Sequence, residues 1–575
     1  MRILGINDGH NAAACLYEDG EVTAAIQEER LRRVKNWSGM PTLAIDEVLR
    51  IAGTSLNGVD FVAMNGHHAA FPMTRDELMR EYRHINDPGV AMRRLARRTA
   101  RRIMRRTPFY ESYRERRQAT RVQVLTERGV KREHVVLVDH HTAHAAAAYY
   151  GWGNFDDDVL VLTCDGAGDG LCATVSVGRG GRLERLASVP QAASLGNIYA
   201  MFTFLMGMVP LEHEYKLMGL APYADPRGTE RVYQELRRLV RFTDAAPLTW
   251  ERSAHCPETY CSYRFFKTLM EGQRFDWIAG GLQKFTEEVL CEWVERCIGH
   301  TGIRRVALGG GIFMNVKANK RIMELRGVDE IFVYPSCGDE TNAMGSAYFV
   351  YAEKAGVTKV APLRDLYWGP QYTDEQVEKA LAAFSFKNPV RYERLLPIEP
   401  RVASLLAEGK IVARFKSREE FGARAQGNRS ILANPSDAAV VRVINEAIKS
   451  RDFWMPFAPS MLEERAADYL INPKATPAPY MILSFDTTDR REEIKGAIHP
   501  FDFTARPQLV SPAWNADYHR LLKEFESLTG IGGVLNTSFN LHGYPIVSRP
   551  EDALHVLDVS GLTHLALENW LVEKR

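Results

Sequence analysis

The first thirty residues alternate between short apolar runs and polar turns, which is the pattern of antiparallel β-strands. Residues 2–7 (RILGIN) form the first predicted strand and lead into a turn at residues 8–10 (DGH). Residues 13–17 and 21–27 follow as further strands, joined by a DG pair that favours a tight hairpin. The opening segment therefore predicts a strand, an acidic glycine turn and a hairpin of two more strands.

The same order of elements returns farther along the chain. Residues 158–164 (DVLVLTC) are strongly apolar and lead into the acidic, glycine-rich turn 165–170 (DGAGDG). Predicted strands at 171–177 and 182–189 come next, with a GRGG turn between them. Two copies of one supersecondary pattern in a single chain indicate an internal duplication.

Helical periodicity occupies much of the chain around these strands. Apolar positions recur at helical spacing over residues 40–52, 281–299 and 341–355. A third glycine-rich turn at 309–311 follows the predicted strand 305–308. Strands alternating with helices predict an α/β fold for this part of the chain.

A domain boundary is expected near residues 354–364, where the sequence AGVTKVAPLRD interrupts the helical pattern. We therefore divide the chain into a domain at 1–355 and a domain at 364–575. Beyond the boundary, helices predicted at 374–383 and 438–449 alternate with short strands. The second domain is expected to be a smaller α+β unit.

Composition and charge narrow the class of protein. The 575 residues allow about two to four domains, and 45% hydrophobic with 25% charged residues is typical of a globular chain. Basic residues number 73 and acidic residues 72, so no global field attracts nucleic acid or an anionic membrane. No apolar stretch of about 18 residues occurs, and neither a signal peptide nor a membrane partner is expected.

The cysteines point to a cellular compartment. The chain has eight cysteines and no C-x-x-C pair. This usage argues against a disulfide framework and a zinc ribbon, and it predicts a reducing, cytoplasmic location. A multidomain cytoplasmic enzyme is the class that these observations favour.

Residues 93–106 (RRLARRTARRIMRR) are the most polar feature, with eight arginines in fourteen positions. Apolar residues lie between the arginine pairs, so a helix here would carry a narrow apolar stripe and a broad basic face. Two interpretations stay open: a solvated helix, which we favour, or a site for an anionic substrate or nucleic acid. Aromatic interleaving, zinc-finger spacing and RNA-binding motifs, which would support the second, do not occur there.

The segment DHHTAH carries the strongest chemical signal. His140 and His144 lie four residues apart, so on a helix both imidazoles project from one face and can chelate a divalent metal. Alone, such a pair is as often two ordinary core or surface histidines. Asp165 and Asp339, in glycine-rich turns, extend the set to a composition that suits iron, manganese or zinc better than magnesium. His141 points elsewhere and is not expected to be a ligand.

Glycine-rich turns after strands let backbone N–H groups approach phosphate oxygens closely. Three such turns, at residues 8–10, 165–170 and 309–311, occur within the duplicated pattern. Each alone is weak, because glycine also simply permits a tight turn. Together they resemble the nucleotide clasp of the actin-like and sugar-kinase superfamily.

Many segments match one family in order along nearly the whole chain. They include LGINDGHNAAACLYEDG, DHHTAHAAAAYY, LTCDGAGD, HEYKLMGLAPYAD, LGGGIFMNVKANKRI, VYPSCGDETNAMGSA and GVLNTSFNLHGYPIVSRPEDAL. The chain resembles the O-carbamoyltransferases, among them the nodulation protein NodU and the cephamycin and aminoglycoside carbamoyltransferases. The resemblance implies a duplicated actin-like (ASKHA) N-terminal domain and a smaller α+β, YrdC-like C-terminal domain.

The resemblance implies site residues in the N-terminal domain. The family's metal ligands fall on His140, His144, Asp165 and Asp339, and its general base falls on His10, whose imidazole suits that task. Adenylate contacts are expected from Gly196, Glu214, Lys216, Gly219, Gly310, Gly311, Asn315 and Asn319. The two asparagines are placed on one helical face, facing ribose hydroxyls, with helix capping as the alternative.

In the C-terminal domain the resemblance implies a pocket for carbamoyl phosphate and ATP. Lys449 and Arg451 match a K-x-R pair, and Ser538 and Asn540 match an S-x-N motif. Further cations suited to phosphate are Lys416, Arg418, Arg424, Arg429 and Arg506. The family's F-Q-G-R-x-E-F-G-P-R-A-L-G reads FKSREEFGARAQG here and its R-P-F-A-P reads MPFAP, so Lys416 becomes the candidate replacement for a lost arginine.

The function implied is ATP-dependent O-carbamoyl transfer. The C-terminal domain would make carbamoyl adenylate from carbamoyl phosphate and ATP with Mg²⁺. The N-terminal domain, with one transition metal and iron(II) as first candidate, would pass the carbamoyl group to a hydroxyl. The expected acceptor is a small molecule, such as an antibiotic, another natural product or a sugar, and a homodimer stays open. The alternative is another actin-like enzyme, such as a tRNA-modifying transferase or a kinase.

Overall fold

The computed structural model describes residues 1–68, 74–84, 109–258, 262–356, 359–449 and 452–575. The described chain forms two compact units, Met1–Ala24 with Asn36–Leu363 and Ala25–Lys35 with Arg364–Arg575. The arginine-rich segment 93–106 lies outside the described residues. Among the helices that are described, none is long and apolar enough to cross a membrane.

The segment Ala25–Lys35 belongs to the second unit. The domain division predicted from the sequence placed it in the first domain. It contains the short helix α1 (Glu28–Arg32). Arg30 is 1% exposed and pairs with the equally buried Glu419 at 2.6 Å. A buried guanidinium requires its counter-charge, so the segment packs where that carboxylate lies. No local pattern in the sequence indicates this pairing.

The first unit contains two five-stranded sheets of the same topology. Its strands are β1 (Arg2–Asn7), β2 (Ala13–Glu18), β3 (Glu21–Gln27), β4 (Phe61–Asn65), β5 (Val135–Val138), β6 (Val159–Gly168), β7 (Leu171–Arg179), β8 (Arg182–Pro190), β9 (Val240–Phe242), β10 (Trp250–Arg252), β11 (Arg305–Gly309) and β12 (Glu330–Val333). The sheet orders are β3-β2-β1-β4-β5 and β8-β7-β6-β11-β12. Each central strand pairs antiparallel with the next strand and parallel with the later one. The predicted duplication is confirmed.

The central strands β1 and β6 end in equivalent turns. Both are buried along most of their length, which explains their nearly continuous apolar sequence. Regular pairing with the neighbouring strand extends to Asn7 at the end of β1 and to Cys164 in β6, and beyond Cys164 the register of β6 shifts. An aspartate followed by glycine comes next in both copies. Asp8 and Asp165 therefore occupy equivalent positions in the duplication.

Helices cover these sheets, and two of the helices are in close contact with each other. The helices of the first unit are α2 (Thr42–Ile51), α3 (Arg75–His84), α4 (Phe109–Glu127), α5 (His140–Trp152), α6 (Leu195–Leu205), α7 (Glu214–Leu220), α8 (Pro226–Arg237), α9 (Tyr263–Leu269), α10 (Phe275–Thr301), α11 (Val316–Glu324) and α12 (Asn342–Ala355). Helices α5 and α12 approach so closely that a Cβ at Gly345 would overlap the carbonyl oxygen of Ala143. Glycine is required there because the two backbones are in contact.

The second unit is built on an eight-stranded mixed sheet of order β13-β22-β21-β14-β15-β20-β16-β19. Its strands are β13 (Val390–Arg394), β14 (Val412–Phe415), β15 (Arg429–Ala433), β16 (Ala458–Leu462), β17 (Leu470–Ile471), β18 (Asp486–Thr487), β19 (Gln508–Val510), β20 (Gly533–Ser538), β21 (His564–Leu567) and β22 (Trp570–Lys574). Its later helices are α13 (Asp374–Ala383), α14 (Glu399–Ala407), α15 (Ala439–Ile444), α16 (Ala466–Tyr469), α17 (Ala516–Thr529) and α18 (Pro550–Val559). This mixture agrees with the predicted α+β class.

One face of the eight-stranded sheet forms the core of the second unit. Phe415, Ile431 and Leu535 from three adjacent strands pack there with apolar residues of α13 and α18. Side chains alternate along a strand, so Asn536 and Ser538 of β20 point to the opposite face. The polar residues selected from the S-x-N motif therefore begin on the side of the sheet away from this core.

Candidate metal centre and transfer site

Four side chains from separate segments of the first unit converge at one point. One ligand atom from each of His140, His144, Asp165 and Asp339 lies within 4.8 Å of all the others. Nε2 of His140 is 3.0 Å from Asp165 Oδ2 and 3.5 Å from Asp339 Oδ1. Nε2 of His144 lies 3.6 Å and 3.5 Å from the same two oxygens. The structure brings together all four residues that were selected from the sequence.

Helix α5 directs both imidazoles into the cluster because of how it begins. Asp139 caps the helix by accepting a hydrogen bond from the backbone N–H of Thr142 at 2.9 Å. Asp169, from the turn before β7, accepts the backbone N–H of His140 at 3.0 Å. Two carboxylates thus hold the positive end of the helix dipole. His140 and His144, one turn apart, then share a face.

The two aspartates lie near the end of β6 and at the start of a single helical turn. Oδ1 of Asp165 accepts the backbone N–H of Gly311 at 3.2 Å, which leaves Oδ2 toward the histidines. Gly168 lets the ring of His140 pack against the same part of β6, because a Cβ there would overlap the imidazole. Asp339 begins the single helical turn that leads into α12. The close packing of α5 and α12 therefore sets the distance between the histidines and Asp339.

Burial and opposite charge act against each other in the cluster. Burial lowers the pKa of His140, but the carboxylates of Asp339 and Asp165 outweigh it and raise that pKa to about 9. The pKa of His144 is raised by the same balance of burial against the two carboxylates. Burial raises the pKa of Asp165, yet the two histidines hold it well below its usual range. The carboxylates therefore require nearby positive charge, which imidazolium protons or a divalent cation can supply.

The donor set fits one divalent transition metal. Two imidazole nitrogens and two carboxylate oxygens suit metals of intermediate softness, whereas Mg²⁺ prefers oxygen ligands throughout. His141 stands apart from this set, as expected. Its Nδ1 lies 2.8 Å from Thr163 Oγ1. Burial, and to a smaller extent the charges of the neighbouring histidines, lowers the pKa of His141 to about 3. His141 is a neutral core residue.

His10, the base selected by resemblance, lies partly exposed in the turn after β1. The side-chain amide of Asn7 donates to the carbonyl oxygen of His10 at 2.8 Å and so holds the turn. Nδ2 of Asn65 donates to Asn7 Oδ1 at 3.0 Å and lies 3.4 Å from His140 Nδ1. Two asparagines therefore connect the backbone of this turn to a ring of the metal cluster.

Arg121 of α4, which the sequence analysis did not select, holds the other side of the turn. Its guanidinium forms two hydrogen bonds to the carboxylate of Asp8, one of them from Nε at 2.6 Å. It also donates to the carbonyl oxygens of Asn65 and Gly66. The side chains of Arg121 and Asp8 are only 4% and 9% exposed. The first aspartate of the duplication is thus neutralised within the protein.

Two of the glycines expected to contact the adenylate pack against the last part of β6. A Cβ at Gly196 would come within 2.8 Å of the backbone nitrogen of Gly166, and one at Gly310 would overlap the carbonyl of Cys164. Gly310 also has a φ of +101°, a conformation that favours glycine. These glycines allow three backbone segments to meet beside the metal cluster.

Asn315 and Asn319 are engaged inside the protein. Asn315 precedes α11 as its N-cap, accepting the N–H of Ala318 at 3.1 Å, so it does not share a helical face with Asn319. Its amide pairs reciprocally with the amide of Gln283, with both distances 2.9 Å. Asn319 is fully buried and donates to the carbonyl oxygen of Phe313 at 2.7 Å. Contact with a ribose would require either amide to exchange these partners.

Glu214, Lys216 and Gly219 lie on α7. A carboxylate oxygen of Glu214 accepts the backbone N–H of Leu211 at 2.6 Å. Burial raises the pKa of Glu214 to about 7, so near neutral pH this carboxyl can either donate or accept a hydrogen bond. Lys216 is partly exposed and Gly219 is buried.

In the second unit the structure brings Lys449, Ser538 and Asn540 together. Nζ of Lys449 donates to Asn540 Oδ1 at 2.6 Å, to the Asn540 carbonyl at 3.1 Å and to Ser538 Oγ at 3.2 Å. Lys449 is 2% exposed and ends a π-helical turn, Asn445–Lys449, where the sequence predicts regular helix. Wide turns of this kind are frequent at functional sites because they redirect side chains. Arg451, the other basic residue of K-x-R, lies outside the described residues.

Two further cations expected in this pocket are held within the protein. Nζ of Lys416 donates to Glu399 at 2.6 Å and to Asn569 at 3.0 Å, so its charge is already compensated. Arg429 is fully buried, donates to four backbone carbonyl oxygens and lies 3.6 Å over the ring of Phe415. Burial lowers the pKa of Arg429. Both residues stabilise the loop between β14 and β15.

Arg418, Arg424 and Arg506 are partly exposed. The guanidinium of Arg418 donates to the carbonyl oxygens of Trp368 at 2.6 Å and Gly369 at 3.2 Å. Burial lowers its pKa, although an arginine so placed remains charged. Among the selected arginines that the structure describes, these three are the ones an anionic ligand could reach.

The segment Ala25–Lys35 of the second unit forms hydrogen bonds to the loop between β14 and β15. Arg30 bonds Glu419 and also donates to the carbonyl oxygen of Gly422, each at 2.6 Å. The side chain of Gln27 accepts the N–H of Gly422 at 3.2 Å. Ser548 donates to the second oxygen of Glu419 at 2.5 Å. Residues close to the start of the chain therefore position a loop nearly 400 residues away.

Sequence reasoning missed the residues that orient the selected side chains. In the first unit these are Asn7, Asn65, Arg121, Asp169 and Asn342. Asp169 carried a local signal, as the second carboxylate of the DGAGDG turn. The others act through contacts between residues distant in sequence, which spacing and composition do not reveal.

Family models match both parts of the chain. The model of the carbamoyltransferase N-terminus matches residues 2–348, and that of the carbamoyltransferase C-terminus matches residues 403–574. The chain belongs to the carbamoyltransferase family. This carbamoyltransferase is therefore an enzyme that transfers a carbamoyl group.

Relatives of this carbamoyltransferase extend over most of its length. An uncharacterized protein of Synechocystis is 30% identical over 100% of this chain and 96% of its own length. The nodulation protein NolNO of Sinorhizobium fredii is 30% identical over 98% of this chain and 79% of its own length. Among solved structures, full-length HypF in its phosphate- and nucleotide-bound form is 14% identical, with a TM-score of 0.32, over 61% of this chain and 55% of HypF. At that score the fold assignment rests on the sheet topology of the chain itself.

Proposed function

We propose that this carbamoyltransferase uses ATP and carbamoyl phosphate and divides two half-reactions between its units. In the second unit, water releases inorganic phosphate from carbamoyl phosphate. The carbamate oxygen then attacks the α-phosphorus of ATP, giving carbamoyl adenylate and pyrophosphate. In the first unit, an acceptor hydroxyl attacks the carbamoyl carbon, AMP leaves with the oxygen that joined it to that carbon, and the hydroxyl proton passes to a base.

The cluster of Lys449, Ser538 and Asn540 supports adenylation in the second unit. The serine and asparagine orient the ammonium of Lys449, and an ammonium binds phosphate as a compact charge. Arg418, Arg424, Arg506 and, from the sequence match, Arg451 add guanidinium groups that suit multiply anionic substrates. Mg²⁺ accompanies ATP and binds through its phosphate oxygens.

The metal cluster and His10 support transfer in the first unit. His140, His144, Asp165 and Asp339 would hold one transition metal, with iron(II) as first candidate. Such a metal supplies Lewis-acid stabilisation of negative charge on a carbonyl or phosphate oxygen. His10 accepts the proton of the acceptor hydroxyl on an imidazole nitrogen, and Asn7 fixes the backbone that carries it.

The adenylate would be held beside that cluster. Gly196, Gly310 and Gly311 meet at the end of β6, where backbone N–H groups suit phosphate oxygens, and the N–H of Gly311 would exchange Asp165 Oδ1 for such an oxygen. Glu214, Lys216 and Gly219 of α7, with Asn315 and Asn319, complete the set proposed for the adenosine part. Glu214 suits this role because its raised pKa lets it donate a hydrogen bond near neutral pH.

The proposal also names the two folds and the setting. The duplicated sheets correspond to an actin-like (ASKHA) domain and the second unit to a YrdC-like domain, with Ala25–Lys35 added to the predicted range 364–575. The acceptor is a small molecule with a hydroxyl, such as an antibiotic, another natural product or a sugar. The cysteines that the structure describes are free and buried, which is compatible with a reducing cytoplasm. A homodimer is compatible with this scheme.

The observation that carries the proposal is the separation of the two clusters into different units. Lys449→Met should abolish pyrophosphate formation, because the pocket loses an oriented cation, yet transfer from chemically supplied carbamoyl adenylate should continue. His10→Ala should form pyrophosphate normally but slow transfer about 10²- to 10⁴-fold, the usual effect of removing a general base. Labelled ATP and carbamoyl phosphate, with a panel of hydroxyl-bearing antibiotics and sugars, report both products separately.

Matched substitutions control for charge and ring loss. Lys523→Met on α17 and His300→Ala at the end of α10 remove exposed side chains from the same units and should leave both half-reactions unchanged. Loss of pyrophosphate in His10→Ala with its retention in Lys449→Met would contradict the division of labour. Formation of ADP instead of pyrophosphate would favour the kinase alternative.

A further inference from the structure

Asn342, the first residue of α12, lies beside the metal cluster and has no role in the scheme above. Its side chain is fully buried. Nδ2 lies 3.1 Å from Nε2 of His144, the nitrogen that faces both carboxylates. Its other polar atom, Oδ1, is buried without a hydrogen-bond partner among the described residues. Within the described part of the chain the amide thus has a single hydrogen-bond partner, and that partner is a metal-facing atom.

With Nδ2 directed at the ring, this contact requires a lone pair on Nε2, which neither an imidazolium nor a metal-bound imidazole offers. A metal bound at Nε2 of His144 uses that lone pair and places positive charge in front of the amide N–H, which is unfavourable. The N and O atoms of a carboxamide are nearly isosteric, so a half-turn of the side chain needs no repacking. The half-turn brings Oδ1 to the position 3.1 Å from His144 Nε2.

That position is comparable with those of the carboxylate ligands. Asp165 Oδ2 and Asp339 Oδ1 lie 3.6 Å and 3.5 Å from the same nitrogen. The backbone contact between Gly345 and Ala143 holds α12 against α5, so the distance between Asn342 and His144 is set by two rigid helices. An amide oxygen is a good ligand for divalent iron or manganese and adds no charge to a site that already has two carboxylates.

We propose that Oδ1 of Asn342 is a fifth protein ligand of the metal centre. The proposal rests on the four-residue metal site of the proposed function and extends it by one oxygen. It gives the centre three oxygen and two nitrogen donors from the protein. With five protein positions filled, fewer coordination positions remain for water, carbonyl or phosphate oxygen.

The test uses Mn²⁺ as the probe with the full-length, metal-depleted protein. Asn342→Leu keeps the size of the side chain and removes its oxygen, so it should weaken Mn²⁺ binding about 10- to 100-fold or more. Water should take the vacated position, so electron paramagnetic resonance in ¹⁷O-labelled water should detect one more metal-bound water than in the unchanged protein. Asn342→Asp supplies a charged oxygen at the same place and should bind Mn²⁺ at least as tightly as the unchanged protein.

A matched control separates ligation from positioning. Asn65→Leu removes the amide beside Nδ1 of His140, on the ring edge away from the carboxylates, so it should lower affinity without adding a bound water. Equal affinity and an equal number of bound waters in Asn342→Leu would overturn the proposal, as would weaker binding by Asn342→Asp. If the unchanged protein bound no Mn²⁺, the four-residue site itself would be wrong, so the two failures are distinguishable. If the leucine variant does not fold, the aspartate variant alone decides.

Discussion

Asp8 directly follows β1 and Asp165 directly follows the regularly paired part of β6, in two sheets with the same strand order, and each precedes a glycine. Their neighbours differ completely. Asp8 forms a two-point ion pair with Arg121, and both side chains are almost entirely buried. Asp165 faces the imidazoles of His140 and His144. One aspartate is therefore used to hold a turn, while its counterpart is available as a metal ligand.

The difference shows how a duplicated fold can divide roles between equivalent residues. A guanidinium stays charged under all ordinary conditions and has no lone pair to give to a metal, so it closes the first site permanently. An imidazole can exchange its proton for a metal ion, so the second site stays open. The partner of each carboxylate, and not its position in the repeat, decides its function.

The largest effect is expected at the second turn. Asp165→Asn replaces an anionic ligand with a neutral one and should empty the metal site, as should His140→Ala, because each removes one of four ligands that converge within 4.8 Å. Elemental analysis of the purified variants measures this directly. Asp8→Asn, at the equivalent position, should keep the metal content of the unchanged protein. Equal metal loss in both asparagine variants would mean that the two turns are not specialised.

The next effect is on stability and belongs to the first turn. Arg121→Met leaves Asp8 buried without its cation, and breaking a buried ion pair from one side typically costs about 3–5 kcal/mol of unfolding free energy. Denaturant unfolding of the two proteins measures the difference. Arg116→Met, on the exposed side of the same helix, should change stability little. The amount of metal bound per folded molecule should stay constant in both variants. A loss of metal in Arg121→Met alone would show that the turn at Asp8 is needed for metal binding.

A smaller effect on the metal is expected from Asp169, the second carboxylate of the turn after β6. It accepts the backbone N–H of His140 and orients that ligand without facing the cluster. Asp169→Asn should therefore weaken metal affinity about 10- to 100-fold, the usual size of such an indirect effect. Competition with a coloured chelator gives the affinity. Complete loss of binding would place Asp169 among the ligands themselves.

The smallest effect is expected from His141, which lies between the two ligand histidines in sequence. Burial keeps its imidazole neutral, and Nδ1 is engaged with Thr163. His141→Gln should leave metal affinity within a few-fold and lower stability by about 1 kcal/mol for the altered hydrogen bond. The same chelator and unfolding measurements apply. A strong loss of metal would show that His141 acts on the metal site although it lies on a different face of α5 from His140 and His144.

Much of the fold could be predicted from local pattern. The strands around residues 2–27 and 158–189 and the helix at 374–383 follow from alternation, helical periodicity and turn residues, which act over a few positions. The duplication followed because the same local pattern occurs twice. The segment 25–35 could not be assigned in this way, since its place depends on Arg30 meeting a carboxylate 389 positions away.

In the candidate sites, too, local sequence features could be predicted and contacts between distant residues could not. The spacing of His140 and His144 predicted a shared helical face, and the glycine-rich turns that hold Asp165 and Asp339 added these two carboxylates to the set. Whether the selected cations are available to phosphate could not be predicted, because the sequence does not show which protein groups Lys416 and Arg429 contact. Glu399 and the backbone carbonyl oxygens of the β14–β15 loop occupy them.

The sequence by itself determined the family, the repeated strand pattern and the four metal-ligand candidates, because these depend on residue types within short local motifs. Only the tertiary structure decided that Asp8 is neutralised by Arg121, 113 positions away, and that Asn342 faces a ligand histidine 198 positions away. The physical reason is that burial and charge pairing are properties of a place in the folded molecule. Two aspartates at equivalent positions of the duplication, each followed by glycine, acquire different chemistry from the side chains that the fold brings to them.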